Sequence, residues 1–91
     1  MKRKIDIQNL RQKINNFDMK IIELISKRQS LMPLVGLYKK ENKVPIHQPQ
    51  REKEILAKIK ILADEHKLNP VMLEKIFKTL FKDAKERQRK I

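Results

Sequence analysis

Apolar residues in the N-terminal half of the chain recur at alternating intervals of three and four positions. The series comprises Ile7, Leu10, Ile14, Phe17, Ile21, Leu24, Leu31, Val35 and Tyr38. This spacing is that of a heptad seam along one side of an α-helix. It predicts a first helix over residues 6–42, capped by Asp6 and about 55 Å long. Pro33 lies inside this helix, where its missing N–H predicts a kink, and the seam resumes in phase at Val35.

Two shorter helices follow, over residues 49–66 and 70–88. Pro49 and Pro70 suit first helical turns. The apolar stripes of these two helices comprise Leu56, Ile59, Leu62 and Ala63, and then Leu73, Ile76, Phe77, Leu80, Phe81 and Ala84. We therefore expect a single all-α domain over residues 1–91 with three helices, the first one long. Because the shorter helices would cover only one side of the first, a partner chain is expected, and a dimeric helical bundle without chemistry would also satisfy this pattern.

Composition narrows the class of protein. One Gly and four Pro leave too few turn residues for a β-sandwich or a series of hairpins. The absence of cysteine excludes disulfides and thiolate metal sites. No apolar run is long enough for a signal peptide or a membrane-spanning helix, so we expect a cytoplasmic protein that has no membrane partner.

The chain is strongly basic. Twenty-three Lys and Arg against eleven Asp and Glu give a formal net charge of +12. A nucleic acid, an acidic membrane surface or a small polyanionic substrate would suit this charge. A lysine-rich proteome would produce the same total, so the position of each charge is more informative than the sum.

Arg28 occupies a seam position where the heptad pattern predicts an apolar residue. An unpaired buried guanidinium is costly, and no acidic residue lies one helical turn away to pair with it. We therefore expect an anion to meet Arg28. Lys39 lies about 16 Å farther along nearly the same face, so both long side chains can converge on one ligand. Arg11 lies about 25 Å from Arg28, and it is either a solvated residue beside the seam or one that an antiparallel partner helix brings close.

Two further polar residues lie in line with apolar stripes. Glu52 precedes the stripe of the second helix, where its carboxylate either points along the buried face or only interacts with the helix dipole. Arg51 lies on the adjoining face. Gln88 continues the stripe of the third helix, and its alternative is a solvated residue of a charged tail. The two histidines lack the spacing of a metal-binding pair, so no metal site is expected.

Four segments share their order, spacing and charged positions with a known family: LRQKINNFDMKIIELISKR, VGLYKKENKVPI, QREKEIL and IFKTLFKDAKERQ. Over residues 10–88 the chain resembles the all-helical chorismate mutases in their short, monofunctional form. The resemblance implies an intertwined homodimer that converts chorismate, a dianion, to prephenate in the phenylalanine and tyrosine branch of aromatic amino acid biosynthesis. It also implies an enzyme without cofactors, because this pericyclic rearrangement needs neither a proton transfer nor a nucleophile.

The resemblance carries the family's substrate-binding positions onto Arg11, Arg28, Lys39, Gln48, Arg51, Glu52, Ala84 and Gln88. It implies that Arg28 and the partner's Arg11 clamp the substrate carboxylates. Lys39 and Gln88 would then donate hydrogen bonds to the ether oxygen. Glu52 would hold the ring hydroxyl.

Arg51 would support these contacts from the rim of the site. Two positions depart from the family pattern. Gln48 stands where an acidic residue is common, and Ala84 stands where a serine is usual. The missing hydroxyl of the serine predicts a loss of about 1–3 kcal/mol in substrate binding.

Three other interpretations stay open at this stage. An isochorismate pyruvate lyase of the same fold would need a similar cationic pocket. A basic helical module that binds nucleic acid through its phosphates would suit the net charge, whereas no nucleic acid partner is expected for a chorismate mutase. A purely structural coiled coil would leave Arg28 and Glu52 in apolar stripes without a reason.

Overall fold

All regular secondary structure in residues 3–91, the part of the chain that the computed structural model describes, is α-helical. The helices are α1 (Ile7–Ser30), α2 (Met32–Glu41), α3 (Pro49–Glu65) and α4 (Pro70–Arg89). Together α1 and α2 make up the long N-terminal helix. The predicted all-α class is confirmed, and α3 and α4 end within one residue of the predicted boundaries.

The long N-terminal helix is divided at Leu31. This residue keeps a right-handed helical backbone, with φ −80° and ψ −17°, and its N–H donates to the carbonyl of Arg28 at 3.3 Å. Pro33 has no N–H to offer to the carbonyl of Gln29, so the regular hydrogen-bond ladder is interrupted next to it. The predicted long first helix is confirmed, and an interruption next to Pro33, where a kink was predicted, divides it into two consecutive segments.

The helix starts follow the predicted capping chemistry. The Asp6 carboxylate accepts two backbone N–H groups of the first turn of α1, at 3.1 and 3.2 Å. The Asn69 side chain does the same for α4, at 2.9 and 3.4 Å. Pro49 and Pro70 are the first residues of α3 and α4, where a proline loses no helical hydrogen bond.

Helix α4 is the centre of the packing, because it contacts α1, α2 and α3. The buried apolar residues are Ile59, Ala63, Phe81 and Ala84, all from the predicted stripes. Two other stripe residues, Leu62 and Ile76, are 48% and 43% exposed. The chain is elongated, with extents of 66 × 24 × 15 Å, and its core is small.

The predicted seam of α1 lies open in the single chain. Its apolar residues are between 43% and 65% exposed: Ile7, Leu10, Ile14, Phe17, Ile21 and Leu24. Gln29 is the buried residue of α1. A continuous apolar face of this length is unusual on a monomeric protein and is typical of a surface that another chain covers.

Gly36 lies in α2 where this helix passes close to α4. A Cβ atom added to Gly36 would lie 2.6 Å from the carbonyl oxygen of Gln88 and 2.7 Å from its Cα atom. Both are main-chain atoms, which cannot move aside by a change of rotamer. The lack of a side chain at Gly36 therefore allows the close approach of the two helices.

Gly36→Ala is expected to destabilise the protein by about 1–3 kcal/mol, because the added methyl group must push α4 away from α2. Helix propensity alone predicts the opposite sign, a gain of about 1 kcal/mol. Urea unfolding followed by circular dichroism measures the difference. A variant more stable than the parent would show that the two helices are not in close contact here.

Candidate active site

A cleft lies between α2, α3 and α4, beside the end of α1. Seven of the predicted site residues line it: Arg28, Lys39, Gln48, Arg51, Glu52, Ala84 and Gln88. The other lining residues are Met32, Val35, Ile46, Ile55, Phe81 and Lys85. Apolar walls with a few convergent polar groups are typical of sites for small molecules.

Lys39 and Gln88 form the buried polar centre of this cleft. Lys39 Nζ donates to Gln88 Oε1 at 2.7 Å and to the carbonyl of Ile46 at 2.9 Å. The two side chains belong to residues that are 8% and 6% exposed. Among residues 3–91, the partner of the other amide atom, Gln88 Nε2, is the weak acceptor Met32 Sδ at 3.6 Å, so Nε2 can donate to a ligand.

The charge of Lys39 lies in surroundings that water reaches poorly. Burial lowers the pKa of the ammonium, Glu52 opposes this shift, and Lys85 adds to it. A cation that has already lost much of its water acts strongly on a neighbouring negative charge and needs little rearrangement to do so. Lys39 is therefore suited to stabilise negative charge on a ligand.

Arg28 lies against two aromatic rings at the side of the cleft. Its guanidinium carbon is 5.8 Å from the ring centre of Phe81 and 6.0 Å from that of Phe77. Burial lowers the pKa of this guanidinium. Among the ion pairs found in residues 3–91, none involves Arg28, so its charge is available to a ligand.

Gln29, which no sequence pattern indicates, fixes Arg28 relative to α4. The residue is 2% exposed, and its Oε1 accepts from Arg28 Nη1 at 2.6 Å. Its Nε2 donates to the Leu80 carbonyl at 3.0 Å and to Asp83 Oδ2 at 2.9 Å. Hydrogen bonds from Gln29 and then from Arg87 lower the pKa of Asp83. A glutamine beside a seam gives no sequence signal, because it suits solvent equally well.

Lys85 is a second cleft residue that was not among the predicted site residues. Its Nζ lies 3.1 Å from Glu52 Oε2, which is also 3.4 Å from His47 Nδ1. A signal was available, because Lys85 precedes Gln88 by three positions and so lies on nearly the same face of α4. The many charges around it in the sequence concealed this signal.

Gln48 and Arg51 lie at the edge of the cleft that α3 forms. Gln48 is the residue before the helix, and its carbonyl accepts the Glu52 N–H at 3.1 Å. The side chain of Arg51 is 61% exposed, with Nη1 4.0 Å from Glu54 Oε2. Both residues are therefore at the rim. Ala84 is 5% exposed and gives the α4 wall a methyl group.

Arg11 does not reach the cleft of its own chain. It is an exposed residue of α1, about 25 Å along the helix from Arg28. Even an extended arginine side chain is much shorter than this distance. Any role of Arg11 at the cleft would require a second chain.

The two histidines lie apart from each other. His47 is beside Glu52, and His66 follows the last residue of α3. Within residues 3–91, no group of three His, Cys, Asp or Glu side chains is placed to hold a metal ion. The same part of the chain contains no helix whose length and apolar character would let it cross a membrane.

The chain is similar to named proteins over almost its whole length. It is 36% identical to the chorismate mutase of Methanocaldococcus jannaschii over 83 residues, which are 91% of this chain and 84% of that protein. It is 31% identical over 91 residues to the bifunctional chorismate mutase/prephenate dehydratase of Buchnera aphidicola subsp. Schizaphis graminum. The match includes 100% of this chain but spans only 24% of that longer relative.

The fold and the family assignment agree with these similarities. A solved structure, described as a conserved hypothetical protein from Pyrococcus furiosus, matches with a TM-score of 0.73 and 29% identity over 94% of this chain and 99% of that one. The sequence model of the chorismate mutase type II family matches residues 10–89. This range contains every residue described above as lining the cleft. The chain therefore belongs to the chorismate mutase type II family.

Proposed function

We propose that the cleft binds chorismate and converts it to prephenate. The observation that carries this proposal is the buried Lys39–Gln88 pair, which holds an ammonium and an amide in one cleft with the guanidinium of Arg28. The similarity to named chorismate mutases supports the same reaction.

The reaction sets two physical tasks for the protein. One C–O bond of chorismate breaks as one C–C bond forms within the same molecule. The protein must hold the flexible enolpyruvyl arm over the ring, and it must stabilise the negative charge that grows on the ether oxygen. Fixed cations and hydrogen-bond donors suit both tasks.

Lys39 and Gln88 act on the ether oxygen. Lys39 supplies the positive charge and Gln88 a neutral donor. Because Lys39 occupies the Oε1 atom of Gln88, the amide is held with Nε2 as its free donor. The same hydrogen bond keeps both groups in place before substrate binds, so little reorganisation is needed during the reaction.

Arg28 binds a substrate carboxylate, and its planar guanidinium limits the rotation of that group. Gln29 holds this guanidinium in position. Glu52 accepts a hydrogen bond from the ring hydroxyl. Arg51, at the rim, helps to bind the substrate carboxylates. At the rim, Gln48 can contact substrate through its backbone. Ala84 gives no hydroxyl donor, so we expect the affinity to be lower than with serine at this position.

The active unit in this proposal is an intertwined homodimer with two sites. The exposed apolar seam of α1 supports a dimer because a second copy would cover it. The distance between Arg11 and its own cleft supports a contribution across the interface. Each cleft would then contain the partner's Arg11 opposite Arg28. The cytoplasmic location stays a prediction from the sequence.

The proposal is tested by incubating the purified protein with chorismate and following the loss of its ultraviolet absorbance and the formation of prephenate. A parallel incubation with isochorismate tests for release of pyruvate. Prephenate formation is the expected result. Pyruvate release without prephenate would favour the lyase, and salt-dependent binding to DNA or RNA without any turnover would favour a nucleic-acid module.

Subunit complementation tests the role of Arg11. Arg11→Ala and Lys39→Ala chains, each with little activity alone, are unfolded, mixed in equal amounts and refolded. Each mixed dimer would contain one site with both residues intact, so the mixture should regain about a quarter of the parent's activity per chain.

A matched control mixes Lys39→Ala with Gln88→Ala chains. Both residues belong to the same side of one site, so mixing restores nothing. If the Arg11→Ala mixture also regains nothing, although size-exclusion chromatography shows that dimers have formed, Arg11 does not act across the interface.

A further inference from the structure

Lys85 extends from α4 into the cleft and not along the outer surface of its helix. Its side chain is 21% exposed, and its Nζ lies 3.1 Å from Glu52 Oε2. The same Nζ lies 3.1 Å from His47 Nδ1. An ammonium has three N–H donors, so these two contacts leave one free.

Another lysine of α4 shows what an ordinary surface pair looks like. Lys78 Nζ lies 3.1 Å from Glu74 Oε1, one helical turn away, with side chains that are 60% and 46% exposed. The pair between Lys85 and Glu52 has the same length, but it joins two helices and lines the cleft. The pKa of Lys39 is lowered mainly by burial and further by Lys85, so the two ammonium groups act on the same small volume.

We propose that Lys85 is a further substrate-binding residue, whose ammonium donates to a carboxylate of the bound dicarboxylate while it stays paired with Glu52. This inference rests on the proposed function, because it takes a dicarboxylate as the ligand. Glu52 keeps its second oxygen for the ring hydroxyl. Lys85 thus contacts the ligand carboxylate directly and the residue that holds the ring hydroxyl, Glu52.

The neighbouring residue explains why a cation is needed here. Ala84 gives this part of the α4 wall a methyl group, so it has no donor for a carboxylate. Lys85 supplies that donor from the next position of the helix. Arg28, Lys39 and Lys85 are three covered cations that face one covered carboxylate, Glu52. Within one chain these groups leave an excess of positive charge, to which the partner's Arg11 would add, and a dicarboxylate suits this excess.

A double-mutant cycle distinguishes direct binding of the ligand by Lys85 from an indirect effect of Lys85 through Glu52. Titration calorimetry gives the Kd of prephenate for the parent, Lys85→Met, Glu52→Gln and the double variant. Removing Lys85 is expected to raise Kd about tenfold in both backgrounds, because a charge-assisted hydrogen bond to the ligand does not depend on Glu52. An equal Kd for Glu52→Gln and the double variant would overturn the proposal, since Lys85 would then act only through Glu52.

Lys78→Met is the matched control, because it removes the same charge from the exposed pair on the same helix. Its Kd should stay within about twofold of the parent's value. Lys85→Arg keeps the charge and should restore most of the affinity lost in Lys85→Met. If circular dichroism shows that Lys85→Met does not fold, Lys85→Gln replaces it in the cycle.

Prephenate binding by the parent protein distinguishes a failure of the proposed function from a failure of the role proposed for Lys85. If the parent does not bind prephenate, the proposed function fails. If the parent binds prephenate but Kd is unchanged by the loss of Lys85 in both backgrounds, only the role of Lys85 is wrong.

Discussion

Lys39→Ala should lower kcat for chorismate by about 100- to 1,000-fold, the usual cost of removing one preorganised donor from a developing negative charge. The ammonium of Lys39 is buried beside Gln88, so water cannot readily take its place. The initial rate of chorismate loss at saturating substrate measures the effect. Circular dichroism is needed in parallel, because the carbonyl of Ile46 also loses its donor.

Lys40→Ala is the control for this measurement. Lys40 is the next residue of α2 and is exposed, so its removal changes the net charge equally without changing the cleft. Its kcat should stay within about twofold of the parent's. A folded Lys39→Ala variant that turns over within a few-fold of the parent would mean that Lys39 does not stabilise the ether oxygen.

The second large effect is expected from Gln88→Glu, with almost no turnover near neutral pH and partial recovery on acidification. At neutral pH the new carboxylate would lie beside the ether oxygen, where negative charge must grow. It would also neutralise Lys39, whose Nζ is 2.7 Å from Gln88 Oε1. Protonation turns the carboxyl group into a donor, so kcat/KM should rise as the pH falls. Because Lys39 favours the ionised carboxylate, the recovery should begin only in the acidic range.

Gln88→Met separates the donor effect from a general effect of pH. A thioether cannot donate at any pH, so this variant should stay slow throughout the series. If Gln88→Met recovers on acidification as much as Gln88→Glu, the carboxyl proton is not responsible. If Gln88→Glu equals the parent at neutral pH, Gln88 does not contact the reacting oxygen.

The helix boundaries were predictable from local chemistry. Asp6 and Asn69 are strong capping residues, and Pro49 suits a first turn, so the predicted starts and ends lie within one residue of the structure. An interruption near Pro33 was predictable, but its position at Leu31 was not. A proline removes a known hydrogen bond, but the sequence does not tell at which residue the ladder is interrupted.

The buried face was predictable only in part. Ile59 and Phe81 are buried as the stripes predict, whereas Leu62 is 48% exposed. A stripe identifies the apolar side of a helix, but not how much of that side another helix of the same chain covers. For the same reason the seam of α1 predicts a partner without specifying how the partner packs.

The residues of the candidate site were likewise predictable only in part. Arg28 and Glu52 were predictable because each interrupts or extends an apolar stripe, and the resemblance to a family added the remaining positions. Gln29 and Lys85 lie beside apolar stripes, where polar residues are usually solvated. Their roles depend on the crossing of α1 and α3 with α4, which brings residues distant in sequence to hydrogen-bonding distance. Their roles in the reaction, like those of the other site residues, stay predictions.

At Gly36 the main chains of α2 and α4 come into direct contact. Three residues after this glycine α2 carries Lys39, and Gln88 is itself the residue of α4 at the contact. The separation of the two main chains therefore limits the range within which the side chains of Lys39 and Gln88 can meet. A change that separates α2 from α4 should therefore also weaken the hydrogen bond between Lys39 and Gln88. Turnover can then report on native helix packing in this small enzyme.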